Sequence, residues 1–249
     1  MKHTLFAIAV SLFISSCAPT RDAIYFNELQ ESKISSKTPI PESIIQNNDL
    51  LSISVSSRNT AATEIFNMPG IIGGSELASA YLVNSDGNIV FPLLGTITAT
   101  GLSKRELQDK LTKTLVDNQL LTDPIVSIRF LNFKITVLGE VNHPTVLTVP
   151  SEKISLLEAI GLAGDLTLQA RRDNVLIIRE ENSQKIIKRI NLNSTEVFRS
   201  PYYYLKSNDV IYVEPNKARL ASARANPQWI PYALSGLSIA IGIATLIKF

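Results

Sequence analysis

Alternating hydrophobic and polar residues predict β-strands with one buried face in the first half of the chain. From Leu51 to Val55 every second residue is aliphatic and the residues between are serines, and the run DPIVSIRF, which ends at Phe130, alternates again. A two-residue period places successive side chains on opposite faces of a strand. Asp86-Gly87 separates two apolar stretches and predicts a hairpin. Residues 58–80 have no clear period and predict a long loop that can include a helical turn.

Two further segments have the spacing of a helix with a defined start. Ser103 and Glu106 form a capping box before leucines that recur every four residues, and Ser155 and Glu158 form a second one. In such a box the serine hydroxyl accepts a bond from the third helical N–H, and the glutamate accepts one from the serine N–H. Gly164 follows the second helix and suits the left-handed conformation that ends many helices.

The second half of the chain has strand patterns on both sides of the second helix. Strands are predicted up to Gly139, after the turn at His143-Pro144, and over Val175–Arg179, Ile186–Ile190 and Asp209–Val213. This order of elements is typical of an α+β fold. NDLLSI at Asn48 and NDVIYV at Asn208 share a polar start and an apolar run. Shared turn chemistry explains this match without a duplication.

The N-terminus has the organisation of a bacterial secretion signal. A short positive start precedes an apolar run, Leu5–Ile14, that is too short to span a bilayer. ISSC ends at Cys17, the only cysteine in the chain, and resembles a lipobox, in which small residues precede a cysteine that becomes lipid-modified. We therefore predict a lipoprotein signal peptide over 1–16, lipidation at Cys17, and a tether up to residue 43. An ordinary signal peptide is the alternative.

Charge and residue counts argue against several kinds of functional site. The net charge is +2 and no basic stripe is interleaved with aromatics, so nucleic acid is not an expected partner. His143 is the only histidine after the signal peptide, which disfavours a transition-metal cluster or a Ser-His-Asp arrangement and favours a turn residue. The sequence has no glycine-rich phosphate-binding motif, and we expect no cofactor.

Five acidic residues remain as candidates for acid–base chemistry, since glycoside hydrolysis needs only two carboxyl groups at a suitable separation. They are Asp49, Asp86, Glu140, Asp165 and Asp209. Each lies at a predicted turn, where acidic side chains commonly bond to local backbone N–H groups. We therefore expect no enzyme, and a glycan-processing enzyme with paired carboxylates stays open as an alternative.

A run of three tyrosines, Tyr202, Tyr203 and Tyr204, is a candidate glycan contact. Exposed aromatic rings can stack on sugar rings. In a strand, however, successive side chains alternate, so that one or two of the three would face the core. Packing within the domain is the alternative, and the pattern favours it.

The C-terminal segment is the most apolar part of the chain. Ile230–Ile247 would be about 27 Å long as a helix, which nearly matches the hydrocarbon core of a bilayer. The residues Ser235, Ser238, Gly242 and Thr245 fall within about 80° of one another on such a helix. They are the candidate lumen face if several copies form a barrel. A plain membrane anchor would have nearly the same sequence, so that both interpretations stay open.

The ordered set of motifs resembles the Wza-type polysaccharide export family of outer-membrane lipoproteins. IIQNNDLLSISV, SDGNIVFPLLGTITATGLSKRELQDKL and DPIVSIRF resemble its polysaccharide-export domain. ITVLGEVNHPTVLTVP, SLLEAIGLAGDLT and YYYLKSNDVIYVEP resemble a soluble-ligand-binding β-grasp (SLBB) domain. The resemblance runs from about Ile44 to Pro215. The turn at His143-Pro144-Thr145 lacks the glycine that often follows this proline in the family, and only one clear β-grasp domain is present.

The resemblance implies a fold class and a division of the chain. The fold is expected to be α+β: a polysaccharide-export domain over 44–133, followed by a β-grasp-like SLBB domain over 134–215. A linker over 216–229 then leads to a C-terminal transmembrane helix over 230–249.

The resemblance also implies a function. The expected protein is a homo-oligomer, an octamer-like ring whose channel exports capsular or extracellular polysaccharide. It is anchored in outer-membrane lipid, with its domains in the periplasm. The expected partner is an inner-membrane polysaccharide co-polymerase, often a tyrosine kinase. The alternative is a membrane-tethered periplasmic glycan-binding module without a pore.

Overall fold

The computed structural model describes residues 24–26, 42–67, 69–72, 75–78, 80–181, 184–224 and 229–246. The predicted signal peptide, the lipidation site Cys17 and most of the predicted tether lie outside these residues. The described part of the chain contains two α+β domains, as the alternating patterns predict, followed by two helices.

The first domain is built around a three-stranded antiparallel sheet of order β4-β1-β7. In chain order its elements are β1 (Leu50–Ser56), α1 (Thr60–Thr63), a 3₁₀ turn (Glu64–Phe66), β2 (Pro69–Ile72), β3 (Ser75–Ala78), β4 (Ala80–Leu82), β5 (Asn88–Phe91), β6 (Gly95–Thr98), α2 (Lys104–Asp117) and β7 (Ile125–Phe130). The buried leucines Leu107, Leu111 and Leu115 give α2 the apolar face that the sequence predicts. The helix contacts β7, one of the edge strands of this sheet.

The second domain is a five-stranded mixed sheet of order β11-β10-β12-β8-β9 with one α-helix. Its elements are β8 (Lys134–Gly139), β9 (Thr145–Thr148), α3 (Leu156–Leu162), β10 (Ala170–Glu181), β11 (Gln184–Ile190), a 3₁₀ turn (Thr195–Arg199) and β12 (Val210–Pro215). β12 pairs with β8 in parallel, and every other neighbouring pair is antiparallel. The strands predicted for the second half of the chain are therefore confirmed.

Both predicted capping boxes are present. The Ser103 and Ser155 hydroxyls accept bonds from the backbone N–H groups of Glu106 and Glu158, and each glutamate accepts the N–H of its serine at 2.7 Å. These bonds lower the pKa of both glutamates. Gly164, which follows α3, has a φ of +79°, as predicted for the residue that ends the helix.

Two local predictions for the first domain need correction. The described residues of 58–80 contain the helical turn that the sequence allowed, α1, but they also form the antiparallel pair β2–β3, which the loop prediction missed. The Asp86-Gly87 turn does not close a hairpin, because β4 pairs with β1 and β5 pairs with β6. The observed hairpin turns instead at residues 92–94, where Leu93 has a positive φ of 61°. Tertiary pairing with β1 outweighs the local turn signal.

The two domains share one hydrophobic core and are joined by a buried carboxylate. Glu152, in the turn after β9, accepts the Phe130 N–H at 2.8 Å and forms an ion pair with Lys104. Its side chain is 10% exposed. Because Lys104 begins α2 and Phe130 ends β7, one side chain of the second domain is bonded to two elements of the first.

The segment predicted as a linker contains α4 (Lys217–Arg224), and the predicted C-terminal helix is α5 (Trp229–Leu246). Asn216 begins α4, accepting the Arg219 N–H at 2.9 Å. Arg219 also lies 3.4 Å from the Glu140 carboxylate. No helix of the described residues has the combined length and hydropathy of a membrane span. The transmembrane assignment of 230–249 stays a prediction.

Candidate functional surfaces

The tyrosine run is packed within the second domain. The Arg179 guanidinium lies 4.9 Å from the ring centroid of Tyr202, and the Lys153 amine lies 5.1 Å from that of Tyr204. The Tyr203 and Tyr204 rings meet edge to face, at 5.1 Å. All three tyrosines are half-buried. Because cation–π and aromatic contacts occupy ring surface that a sugar would need, this geometry favours packing over the glycan contact.

A short N-terminal segment contacts the second domain, a feature that the sequence does not signal. The Tyr25 hydroxyl donates a hydrogen bond to the Asp165 carboxylate, and the Tyr25 ring lies 5.3 Å from the Arg172 guanidinium. Phe26 stacks on Phe198 at 5.2 Å between centroids. Burial and the bond to Asp165 raise the pKa of the Tyr25 phenol. Residues 24–26 are thus held against the second domain.

Four of the five candidate carboxylates have specific partners. Glu140 Oε2 accepts the Thr167 hydroxyl at 2.8 Å, and Asp165 accepts Tyr25 and the Leu166 N–H. Asp49 and Asp209 each accept the backbone N–H three residues earlier in the chain. The bonds of Asp49, Asp165 and Asp209 to nearby backbone N–H groups are of the kind that the turn interpretation predicts, whereas Glu140 bonds to a side chain 27 residues away. They leave no carboxylate pair singled out as an acid and a base.

His143 lies in the connection between β8 and β9, as the turn interpretation predicts. The backbone N–H of His143 donates a hydrogen bond to the Ala163 carbonyl at 2.9 Å. A Cβ added to Gly164 would lie 2.3 Å from His143 Nδ1, so glycine is required there for both space and its positive φ. Over the described ranges, no three His, Cys, Asp or Glu side chains converge as metal ligands.

A shallow cavity of about 360 Å³ lies in the first domain, lined by Ser57–Asn59, Ala62 and Leu120–Asp123. The Arg58–Asp123 ion pair joins its two loops at 3.0 Å. The Asn59 amide oxygen caps α1, accepting the Ala62 N–H at 3.3 Å. The volume is near the lower end for a small-molecule site. Its polar side chains Arg58, Asp123 and Asn59, however, are already bonded to other groups of the same loops.

The C-terminal helix exposes both hydroxyl and apolar side chains. The Ser235 and Ser238 hydroxyls of the predicted lumen face are exposed and donate to carbonyls one turn earlier, Ser235 to Pro231 at 2.7 Å and Ser238 to Leu234 at 3.1 Å. Gly242 and Thr245, the other two predicted lumen residues, belong to the same helix. Leu234 and Ile239 are each 62% exposed. Hydroxyls bonded to their own helix can still accept bonds from a polar ligand.

Comparison with known proteins identifies both domains. Residues 37–131 match the family model described as polysaccharide biosynthesis/export protein, and residues 134–188 match that of the SLBB domain. The first match contains the three-stranded sheet and α2. The second match contains β8, β9, α3 and β10. The boundary between the two matches falls at the connection between β7 and β8.

Two curated relatives share one name, EPS I polysaccharide export outer membrane protein EpsA. The relative from Ralstonia solanacearum is 24% identical over 147 residues, which is 58% of this chain and 38% of the relative. The relative from Ralstonia nicotianae is 30% identical over 97 residues, which is 38% of this chain and 25% of the relative. The matched parts thus span well under half of either relative. With its export domain followed by an SLBB domain, the chain belongs to the polysaccharide export protein family.

Proposed function

We propose that the chain is a subunit of an outer-membrane channel that exports capsular or extracellular polysaccharide without doing chemistry on it. The observation that carries the proposal is the family match over residues 37–131, which contains the sheet and the helix of the first domain. The relatives named as polysaccharide export outer membrane proteins support the same role and location.

In the proposed assembly Cys17 is lipidated and held in the outer membrane, and both domains lie in the periplasm as part of a closed homo-oligomeric ring. Polysaccharide is the cargo. An inner-membrane polysaccharide co-polymerase, often a tyrosine kinase, delivers it, and polymer synthesis supplies the energy. A hydrated lumen with many weak polar contacts suits a moving polymer better than one tight site.

The proposal gives α5 the role of a barrel stave. Its exposed apolar residues include Leu234, Ile239 and Ile243, the last 52% exposed. A helix that is apolar on most sides is normally covered by lipid or by other helices. Ser235 and Ser238, with Gly242 and Thr245, would then face the lumen.

Single-particle imaging of the lipidated full-length protein, extracted in mild detergent, tests this assembly. We expect closed rings with a continuous axial channel, capped by bundled C-terminal helices. Monomers or dimers in several mild detergents would contradict the channel. They would favour the pore-free glycan-binding module, in which α5 is only an anchor.

Polysaccharide secretion in a strain that lacks the gene tests the role itself. The wild-type gene should restore secretion, and Cys17→Ser should not, because the protein would lose its lipid anchor. Single changes of the five candidate carboxylates to amides should leave secretion intact wherever the protein still folds. If one of these variants folds, assembles and yet abolishes secretion, the glycan-processing enzyme becomes the better explanation.

A further inference from the structure

In the described part of the chain, one face of the second domain's five-stranded sheet is left open, and most of its central residues are aliphatic. The strand register aligns its outward residues in rows. One row crosses all five strands in the order Ile187, Ile178, Val210, Thr136 and Val146. A second row pairs Leu176 with Tyr212 and Tyr212 with Leu138. We call these eight residues the aliphatic face. Four of them are exposed: Ile187 at 60%, Val146 at 56%, Leu138 at 42% and Tyr212 at 36%.

Charged residues border the aliphatic face at both ends of the strands. On one side lie Lys134 on β8 and the cross-strand pair Glu180 and Lys185. On the other side, Glu214 lies 3.0 Å from Arg171 and 3.3 Å from Arg189. An apolar centre within a polar rim of both signs is the usual anatomy of a protein interface.

The uncovered face of the first domain is different in kind. The register of β1 with β7 places Ser52 opposite Arg129 and Ser54 opposite Ser127 on the outside of that sheet. Ser54, Ser127 and Arg129 are exposed. One chain thus has two sheets, each with one open face. The open face of the first domain is polar at its centre, and its exposed aliphatic residues Leu82 and Ile125 lie singly at opposite ends. The open face of the second domain is instead apolar at its centre and continuous across all five strands.

We propose that the aliphatic face is the surface by which each subunit packs against a neighbouring copy of this chain. Five strands at ~4.8 Å spacing, with about three outward positions on each strand, give the open side of the sheet, including its charged border, roughly 500 Å² in projection. That is more than half of the ~800 Å² that each partner buries in a stable interface. Tyr212, near the middle, is the residue type that dominates such contacts.

The neighbour meets the aliphatic face with a different surface of its own. A contact between two identical faces closes at two copies, whereas a ring requires two different surfaces on each subunit. The inference rests on the proposed ring, since only repeated copies of one chain supply a partner at every position. A polysaccharide strand is a poor occupant because it is narrow and hydroxyl-rich, whereas this face is broad and aliphatic.

Photo-crosslinking in membranes identifies the occupant. A photoreactive phenylalanine derivative is placed at Tyr212, with the same derivative at Ser54 as the matched control on the serine-lined sheet. We expect a crosslinked dimer from position 212, in which position 212 is joined to a different surface of the second copy, and none or far less from position 54. A crosslink to another protein, or only within the same chain, would overturn the inference.

Substitution then tests whether the face holds the assembly together. Ile187→Asp and Val146→Asp introduce charge at two of its most exposed positions, and Ser54→Asp and Ser127→Asp introduce the same charge on the other sheet. We expect the first pair to lower the native mass in mild detergent to that of one or two copies. The second pair should keep the wild-type mass. Melting curves recorded by circular dichroism check that all four variants are folded.

The outcomes separate this inference from the proposed function. If folded Ile187→Asp and Val146→Asp proteins keep the wild-type ring mass, the aliphatic face is not the interface and the channel proposal stands. If the wild-type protein forms no ring under the same conditions, the proposed function fails first. A crosslink from position 212 to position 212 of the second copy would also overturn the inference, because it indicates contact between two identical faces.

Discussion

Each domain has a strand that begins just after an Asn-Asp turn, and the two turns have the same backbone geometry. Asn48 and Asn208 have φ values of 68° and 67°. The next residue is Asp49 in one turn and Asp209 in the other, and each carboxylate accepts the backbone N–H three residues earlier, at 2.7 and 2.8 Å. In both turns the Asn N–H bonds to the neighbouring strand or its end, at 2.9 and 2.8 Å.

The two turns differ in what surrounds the charge. Arg179 on β10 binds Asp209 through two bonds, of 2.9 Å from Nε and 2.7 Å from Nη2. Asp49 is 3% exposed, and within the described part of the chain no salt bridge reaches it. Burial raises the pKa of Asp49 to about 6. The turn sequence therefore supplies the backbone bonds in both places, but only the second domain supplies a countercharge.

Removing the countercharge should have the largest effect. Arg179→Met should lower the free energy of unfolding by about 3–5 kcal/mol at pH 7, because it leaves the Asp209 carboxylate buried and unpaired. Urea unfolding of the full chain in mild detergent measures this. Arg129→Met is the matched control, since Arg129 is exposed, and it should change stability by less than about 0.5 kcal/mol. Equal losses in the two variants would show that the ion pair does not stabilise the fold.

Replacing each aspartate by asparagine should destabilise the second turn but not the first. Asp209→Asn should cost about 1.5–3 kcal/mol, because charge-assisted bonds to buried Arg179 are lost. Asp49→Asn should be neutral or stabilising at pH 7, because the amide oxygen still accepts the Gln46 N–H and no buried charge remains. Urea midpoints compare the two variants. A loss at Asp49 as large as that at Asp209 would contradict the difference between the turns.

The pH dependence should isolate Asp49. The pKa of an aspartate is about 3.9 in the unfolded chain, whereas that of Asp49 in the folded protein is about 6. Its raised folded-state pKa favours the folded protein below about pH 4, and this contribution is lost as the pH rises through 6. The stability of wild type relative to Asp49→Asn should therefore fall between pH 4 and 6 and stay level above. A flat difference across this range would show that Asp49 titrates normally.

The smallest effects should be equal in the two turns. Asn48→Ala and Asn208→Ala should each cost about 1 kcal/mol, because alanine is strained at a positive φ whereas asparagine tolerates it. Asn→Gly at either position should be nearly neutral, since glycine adopts this conformation freely. Unfolding midpoints of the four variants measure both. Unequal alanine losses would show that the backbones of the two turns differ more than their φ values do.

The sequence alone determined the features that depend on nearby residues. Capping boxes, the glycine that ends α3 and the alternation of the main strands all depend on neighbours within a few residues, and each is present. The same holds for the two Asn-Asp turns, whose side chains bond to their own backbone. The domain order also follows from local motifs, because each motif belongs to a separate stretch of chain.

Only the tertiary structure decided which partner each element meets. The Asp86-Gly87 signal is sound as a turn, yet β4 pairs with β1 because the hydrogen bonds of a sheet join strands that are distant in sequence. Arg179 neutralises Asp209, Lys104 binds Glu152 and Tyr25 reaches Asp165 across long separations. No local pattern encodes these contacts. Whether a buried aspartate has a countercharge therefore depends on the fold rather than on its turn.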